Sequence, residues 1–236
     1  MESVRNYCSD SGYFSSGLGN AGRNRISTNV ERQFIVKKVV SIAAVSAALL
    51  LTGCSQVSSA ATVGSIKISQ STVQSSIDAV MNERSEVDTS QMQLESGENL
   101  NRGQVRFHVL SELLNEVAAK LKITVSKAEI DTRRASIIQQ VGGDAGLVTA
   151  LVGAGIAAKD FDLYLQSVII SDKLSQALEA SGVPANQVGA AIQKLVVDMA
   201  TQNKVVINPR YGVWDSATAD VLPVDSAGSA VTPSNK

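Results

Sequence analysis

The chain has 236 residues, with 21 basic and 22 acidic side chains, one histidine and two cysteines. From Cys54 onward it carries 19 acidic and 15 basic residues, a net charge of about −4 with no cluster of Lys and Arg, which excludes a nucleic-acid-binding surface. Counting the single histidine excludes histidine-based triads, two-histidine metal sites and histidine relays, and one cysteine after position 53 excludes an internal disulfide.

Residues 1–35 are rich in Ser, Gly, Asn and Arg, with scattered apolar residues and no period, a composition that cannot bury a core. Val36, directly before Lys37 and Lys38, is what a GTG start codon becomes when read as an internal codon. The segment 1–35 is therefore expected to be either a disordered extension or a stretch upstream of the true start at Val36. Residues 39–51 then run thirteen positions without a charge. A membrane-spanning helix needs about 20 apolar residues, so 36–53 fits a cleaved secretion signal better than an anchor. Its end, Leu51-Thr52-Gly53-Cys54, resembles the lipobox of bacterial lipoproteins. That resemblance implies a diacylglycerol on the Cys54 sulfur and a place on the extracytoplasmic face of the cell membrane, in a leaflet the sequence does not specify. Two acyl chains, at about 0.8 kcal/mol per buried methylene, hold stably where one is marginal. The competing reading is a buried core helix ending in a chance cysteine.

Residues 54–61 form a small polar run that suits a tether. The alternation of Val63, Ile66 and Ile68 predicts a strand over 63–68, and Ser69 is a good cap for a helix over 70–86 carrying Val73, Ile77, Val80 and Met81. Residues 87–99 are polar and predict a mobile loop. The strongest helical period spans 102–122, with Val105, Val109, Leu110, Leu113, Leu114, Val117 and Leu121 on one stripe. Ser126 and Glu129 form a capping box for a helix to about 140, which Gly142-Gly143 ends. A short helix follows Asp144 as far as 153–155, and a longer one over 159–180 turns Phe161, Leu165, Val168 and Ile169 inward. After Gly182 and Pro184, Val188, Ile192, Leu195, Val196 and Met199 mark a last helix. A second strand is expected at 205–207, and from Ser216 onward a disordered tail. The predicted fold is mostly α, five to six helices around one core, with a small two-stranded β-pair joining the ends of the domain.

Candidate sites have plain structural readings beside the chemical ones. His108, with Ser111, Glu112 and Asn115 at helical spacing, reads as a solvated surface histidine. Residues 153–158, GAGIAA, match a loose dinucleotide fingerprint but follow a helix instead of a strand, so no nucleotide is expected. Asp160 with Asp162, and Glu112 with Glu116, are acidic pairs best explained as helix-surface charge. Met81 and Met199 read as core filling, and Met92 as the methionine best placed to line an adaptable apolar groove. No catalytic residue, cofactor or metal is expected.

The run Asn208, Pro209, Arg210, Tyr211, Gly212, Val213, Trp214, Asp215 after a Val-rich strand is distinctive. Together with the lipobox, the strand-to-helix entry from Ile66 to Val73, the Gly142-Gly143 break and a helix end at Asp172-Lys173-Leu174, it makes residues 61–215 resemble the SurA N-terminal domain family, helical chaperone domains of exported foldases. The resemblance implies that the early strand pairs with the strand after the last helix. It also implies binding of unfolded exported polypeptides. Relatives carry a parvulin prolyl-isomerase domain between their last two helices, where this chain has only residues 179–187. The expectation is a lipid-anchored holdase without isomerase activity; the alternative is an envelope lipoprotein that binds one folded partner.

Overall fold

Ser59 and Asn208 stand 149 positions apart, yet the Asn208 side-chain amide donates to the Ser59 carbonyl at 3.0 Å and its backbone amide donates to the Ala60 carbonyl at 2.9 Å. That junction closes the domain. The computed structural model describes residues 58–224; Cys54, the leader-like segment and the residues before it lie outside them. Strand β1 (Ser59–Val63) pairs antiparallel with β2 (Ile66–Ser69) on one side and with β3 (Val206–Ile207) on the other. The β1–β2 register shifts between Ser59 and Ala61, leaving Ala60 as the extra residue of a bulge. Asn208 is the residue type that can supply two donors to the carbonyls such a bulge releases from the ladder.

The single strand expected over 63–68 is a tight hairpin turning at Gly64-Ser65, and its first strand begins at Ser59, inside the expected tether. Ala60, Ala61 and Val63 are buried, so side chains too small to mark a strand by composition are core. Ser69 caps α1 (Gln70–Arg84), accepting from the Thr72 amide at 2.9 Å. Then come α2 (Gly97–Lys120), α3 (Lys127–Gln140), α4 (Asp144–Ala154), a single 3-10 turn (Ala158–Asp160), α5 (Phe161–Ala180) and α6 (Ala185–Gln202). Among the described residues, six α-helices and antiparallel strand pairs make the mostly α architecture that the periodicity predicts.

Helix α2 packs against α1, α5, α6 and β1, and its Val105, Val109 and Leu113 are completely buried. It begins five residues before the expected 102, because Leu100 is buried and Glu98 favours the first turn of a helix. The capping box at Ser126 and Glu129 is formed. Gly142 and Gly143, at φ 84° and 98°, take backbone conformations that side chains resist, and α3 and α4 meet there at 97°. These two helices share with α5 a smaller apolar cluster of Leu151, Phe161 and Leu165, with Ile130 and Ile137 packed on it. Among the described residues no single helix is long and apolar enough to cross a membrane; α3 and α4 meet that standard only as a bent pair.

Of the tail expected from Ser216, residues 216–222 form the turn and second strand of another hairpin, and residues 225–236 lie outside the described residues. Strand β4 (Val213–Asp215) pairs with β5 (Asp220–Leu222), and Ala219 and Val221 are buried in the main core. Gly212 makes the hairpin possible: at φ 141° it passes so close to the β5 backbone that a Cβ would lie 2.4 Å from the Leu222 carbonyl oxygen.

Candidate functional site

A groove of about 550 Å³ runs across the N-terminal half of α2. Its floor is Leu100, Gly103, Gln104, Phe107 and Leu110, one face of the helix. One wall is Gln93, Leu94 and Glu95 from the α1–α2 connection, tied down where the Arg84 guanidinium donates to the Glu95 carbonyl at 2.7 Å. The other wall is the end of α4, from Gly153 to Ile156, with Tyr164 of α5. Gln104 crosses between floor and wall, donating to the Gly155 carbonyl at 2.7 Å. Apolar surface interleaved with polar groups suits an extended polypeptide, whose side chains seek burial while its backbone needs hydrogen-bond partners.

The dinucleotide-like run at 153–158 therefore lines the groove, but with the wrong polarity for a phosphate. It is the carbonyl end of α4, which ends at Gly155 in the left-handed conformation, and a helix holds anions at its amide end. The Ala158 amide that a phosphate would approach is covered by the Glu83 carboxylate, at 3.0 and 3.1 Å.

His108 lies one turn beyond Gln104 and is buried, not solvated. Its Nε2 is 3.0 Å from the Ser76 hydroxyl of α1, which in turn donates to the Thr72 carbonyl. Burial pushes the imidazole below its ordinary pKa, Asp160 pulls the other way through space and Lys159 reinforces the burial. Ser76, His108 and Asp160 thus gather three residue types of a hydrolytic triad. A triad needs only one histidine, so the count argument does not dispose of it. Burial does: Ser76 has no exposed surface, and the imidazole's hydrogen-bond partner is Ser76 and not Asp160. The cluster fastens α1 to α2.

Of the acidic pairs, Asp160 and Asp162 take different partners, while Glu112 and Glu116 still act on one another. Asp160 is buried 3.4 Å from Lys159, while Asp162 is ion-paired with Arg134. Glu112 is pushed above the usual carboxylate range, first by burial and then by Glu116. Asp172 and Lys173 sit inside α5 instead of at a helix end and clamp α3: Asp172 pairs with Arg133, and Lys173 with Glu129 at 2.5 Å. Met199 is buried, but Met81 is 50% exposed, and Leu94 rather than Met92 lines the groove. Among the described residues no group of three or more His, Cys, Asp and Glu is placed to hold a metal.

In the closing run, Tyr211 is buried and Trp214 half-buried against the main core. Arg210 lies over the Tyr211 ring at 5.7 Å, and Asp215 accepts from the Ala217 amide at 2.9 Å and the Thr218 hydroxyl at 2.5 Å. A second cleft of about 280 Å³ opens here, between Glu98 and Arg102 of α2 and residues 209–212.

Comparison with protein families matches residues 25–175 to the SurA-like N-terminal domain. The chain belongs to this family. No curated protein and no solved structure matches. The SurA-like match starts upstream of Val36 and stops inside α5, so the whole lining of the groove across α2, from Arg84 to Tyr164, falls within it. Residues 208–215 fall outside. The SurA-like module is of a non-catalytic, chaperone type, and its family binds polypeptides in general terms.

Proposed function

We propose that this protein is a lipid-anchored extracytoplasmic holdase, tethered through Cys54, whose groove across α2 binds unfolded exported polypeptides. The observation that supports the reading is that the groove lies within the SurA-like match and leaves Phe107 and Leu110 of its floor partly exposed. Burying one client side chain there contributes about 1.5–3 kcal/mol, and the ordering of a disordered client offsets much of it. Binding is then weak and reversible, as holding without trapping requires. Prolyl isomerisation is not part of the reading.

The test is aggregation of several unrelated unfolded proteins at near-stoichiometric ratios. The protein is expected to delay aggregation of all of them, and Phe107→Glu with Leu110→Glu to abolish the delay while melting stays cooperative. Protection that survives the double variant would remove the groove from the mechanism. Failure with every client, alongside recovery of one stoichiometric partner from membranes, would favour the envelope-assembly reading. A second assay, proline-limited refolding, is expected to show no acceleration at substoichiometric protein.

A further inference from the structure

We propose that the cleft between the start of α2 and residues 209–212 docks the headgroup phosphate of an anionic phospholipid, so that the domain rests on the membrane with its client groove facing away. The inference deepens the anchored-holdase reading and rests on lipidation of Cys54.

The first observation is reach. Cys54 precedes Ser58 by four residues, which span at most about 14 Å when fully extended at about 3.5 Å each. The Ser58 carbonyl accepts from the Gln70 amide at 2.8 Å, and the Arg210 guanidinium lies 3.5 Å from the Gln70 side-chain carbonyl. A lipid on Cys54 therefore keeps the end of the domain that carries Arg210 within headgroup distance.

The second is charge. The chain from Cys54 onward is net acidic, which opposes approach to an anionic bilayer, yet this cleft holds two arginines and one carboxylate, Glu98. Neither Arg102 nor Arg210 forms an ion pair among the described residues. Arg102 donates to the Asn99 side chain, and Arg210 has Gln70 and the Tyr211 ring. The adjacent Arg106 is already paired with Asp220 at 2.9 Å. A guanidinium presents a fork of donors suited to phosphate oxygens.

The third is direction. At about 100° per residue, Phe107 lies about 140° around α2 from Arg102 and about 180° from Glu98. Leu100 and Gln104 lie about 160° from Arg102, while Arg106, Leu110 and Gly103 at the groove's near edge lie about 40–100° from it, so the two clefts open on different sides of one helix. Seating the basic cleft on lipid leaves the groove open to clients.

The test uses the full chain carrying a bimane fluorophore at Val224→Cys, on the cleft's rim, with phosphatidylcholine vesicles alone or with phosphatidylglycerol, and a quencher on the headgroups. The mass of residue 54 is measured in the same preparation. Quenching is expected to rise severalfold with phosphatidylglycerol, to fall to the phosphatidylcholine level in Arg102→Gln with Arg210→Gln and at about 0.5 M salt, and to increase in Glu98→Gln. At about 1 kcal/mol per basic residue, the double variant loses about 30-fold in affinity when added to preformed vesicles. That binding comparison applies whether or not residue 54 carries lipid. Missing lipid with an intact arginine effect overturns the anchor alone; a lipidated protein insensitive to both arginines and to lipid charge overturns the docking cleft.

Discussion

Replacing each aromatic of the closing run by alanine separates burial from size. Tyr211 is 4% exposed and belongs to the main core cluster, whereas the larger Trp214 is half-buried at its edge. A fully buried aromatic truncated to alanine costs about 3–5 kcal/mol through lost transfer energy and the cavity left behind. Tyr211→Ala is placed near the lower end of that range, about 3 kcal/mol, because its ring sits in a turn that can partly collapse. Trp214→Ala loses about half of a full burial, about 1.5 kcal/mol. For a domain of this length a kilocalorie shifts the melting temperature by about 2–4 °C, so the expected falls are about 6–12 °C and 3–6 °C. Differential scanning calorimetry with urea titration measures both, and an unchanged m-value shows that the native and denatured states are still those being compared. A larger loss for Trp214→Ala, or no loss for Tyr211→Ala, would refute the assignment of this run as the clasp that ties β1 to the C-terminal hairpin.

Gly212→Ala is expected to cost at least about 2 kcal/mol, since it adds a clash with the Leu222 carbonyl to an unfavourable backbone conformation; equal melting temperatures would show that β5 moves freely aside. His108 is held neutral by burial, with its folded pKa below the ordinary 6.5, so its contribution is fully present above pH 6.5 and is lost as pH falls through the folded value. Stability measured in urea should therefore decline more steeply towards acid in the wild type than in His108→Gln, and parallel profiles would remove the histidine as the cause. Glu129, held by Lys173 and by the backbone and hydroxyl of Ser126, has its pKa lowered to about 2. An NMR titration should find it still ionised at pH 3, with Lys173→Ala moving the midpoint up towards 4.5 and any contribution of the clamp to stability fully present above 4.5 and lost progressively as pH falls to about 2.

What was legible in the sequence was whatever repeats or caps. The stripe through Val105, Val109 and Leu113, the Ser126 and Glu129 box and the Gly142-Gly143 break each carry a local physical signature, and each marks an element where it stands. What was not legible depends on partners distant in sequence. Ala60 and Ala61 look like tether because alanine is indifferent to setting, and they are strand because α2 and β3 cover them. The residues after Ser216 look like a tail because Asp215 and Gly212 specify their hairpin through a single turn and a single close approach. The groove has no signature at all: it exists where the α1–α2 connection and the end of α4 meet one face of α2, more than 50 residues apart.

His108 shows why polarity along a helix misleads. Ser111, Glu112 and Asn115 around it predict a wet face, yet Ser111 is buried and takes a hydrogen bond from Ser167 at 3.2 Å, and Asn115 accepts from Gln166 of α5 at 2.8 Å. With Ser76 on His108 and Gln104 on Gly155, α2 is thus fastened by polar pairs to α1, to the end of α4 and to α5. Apolar contacts are non-directional and would tolerate α2 turning or sliding among its neighbours. Buried hydrogen bonds do not, because each small displacement leaves a donor or acceptor unsatisfied at about 1–3 kcal/mol. With Phe107 and Leu110 only partly buried on one face of α2, hydrophobic packing alone would favour turning that face inward. Each polar pair opposes that rotation, so the partly exposed floor of the groove and the unexpected polarity of the core belong to one arrangement.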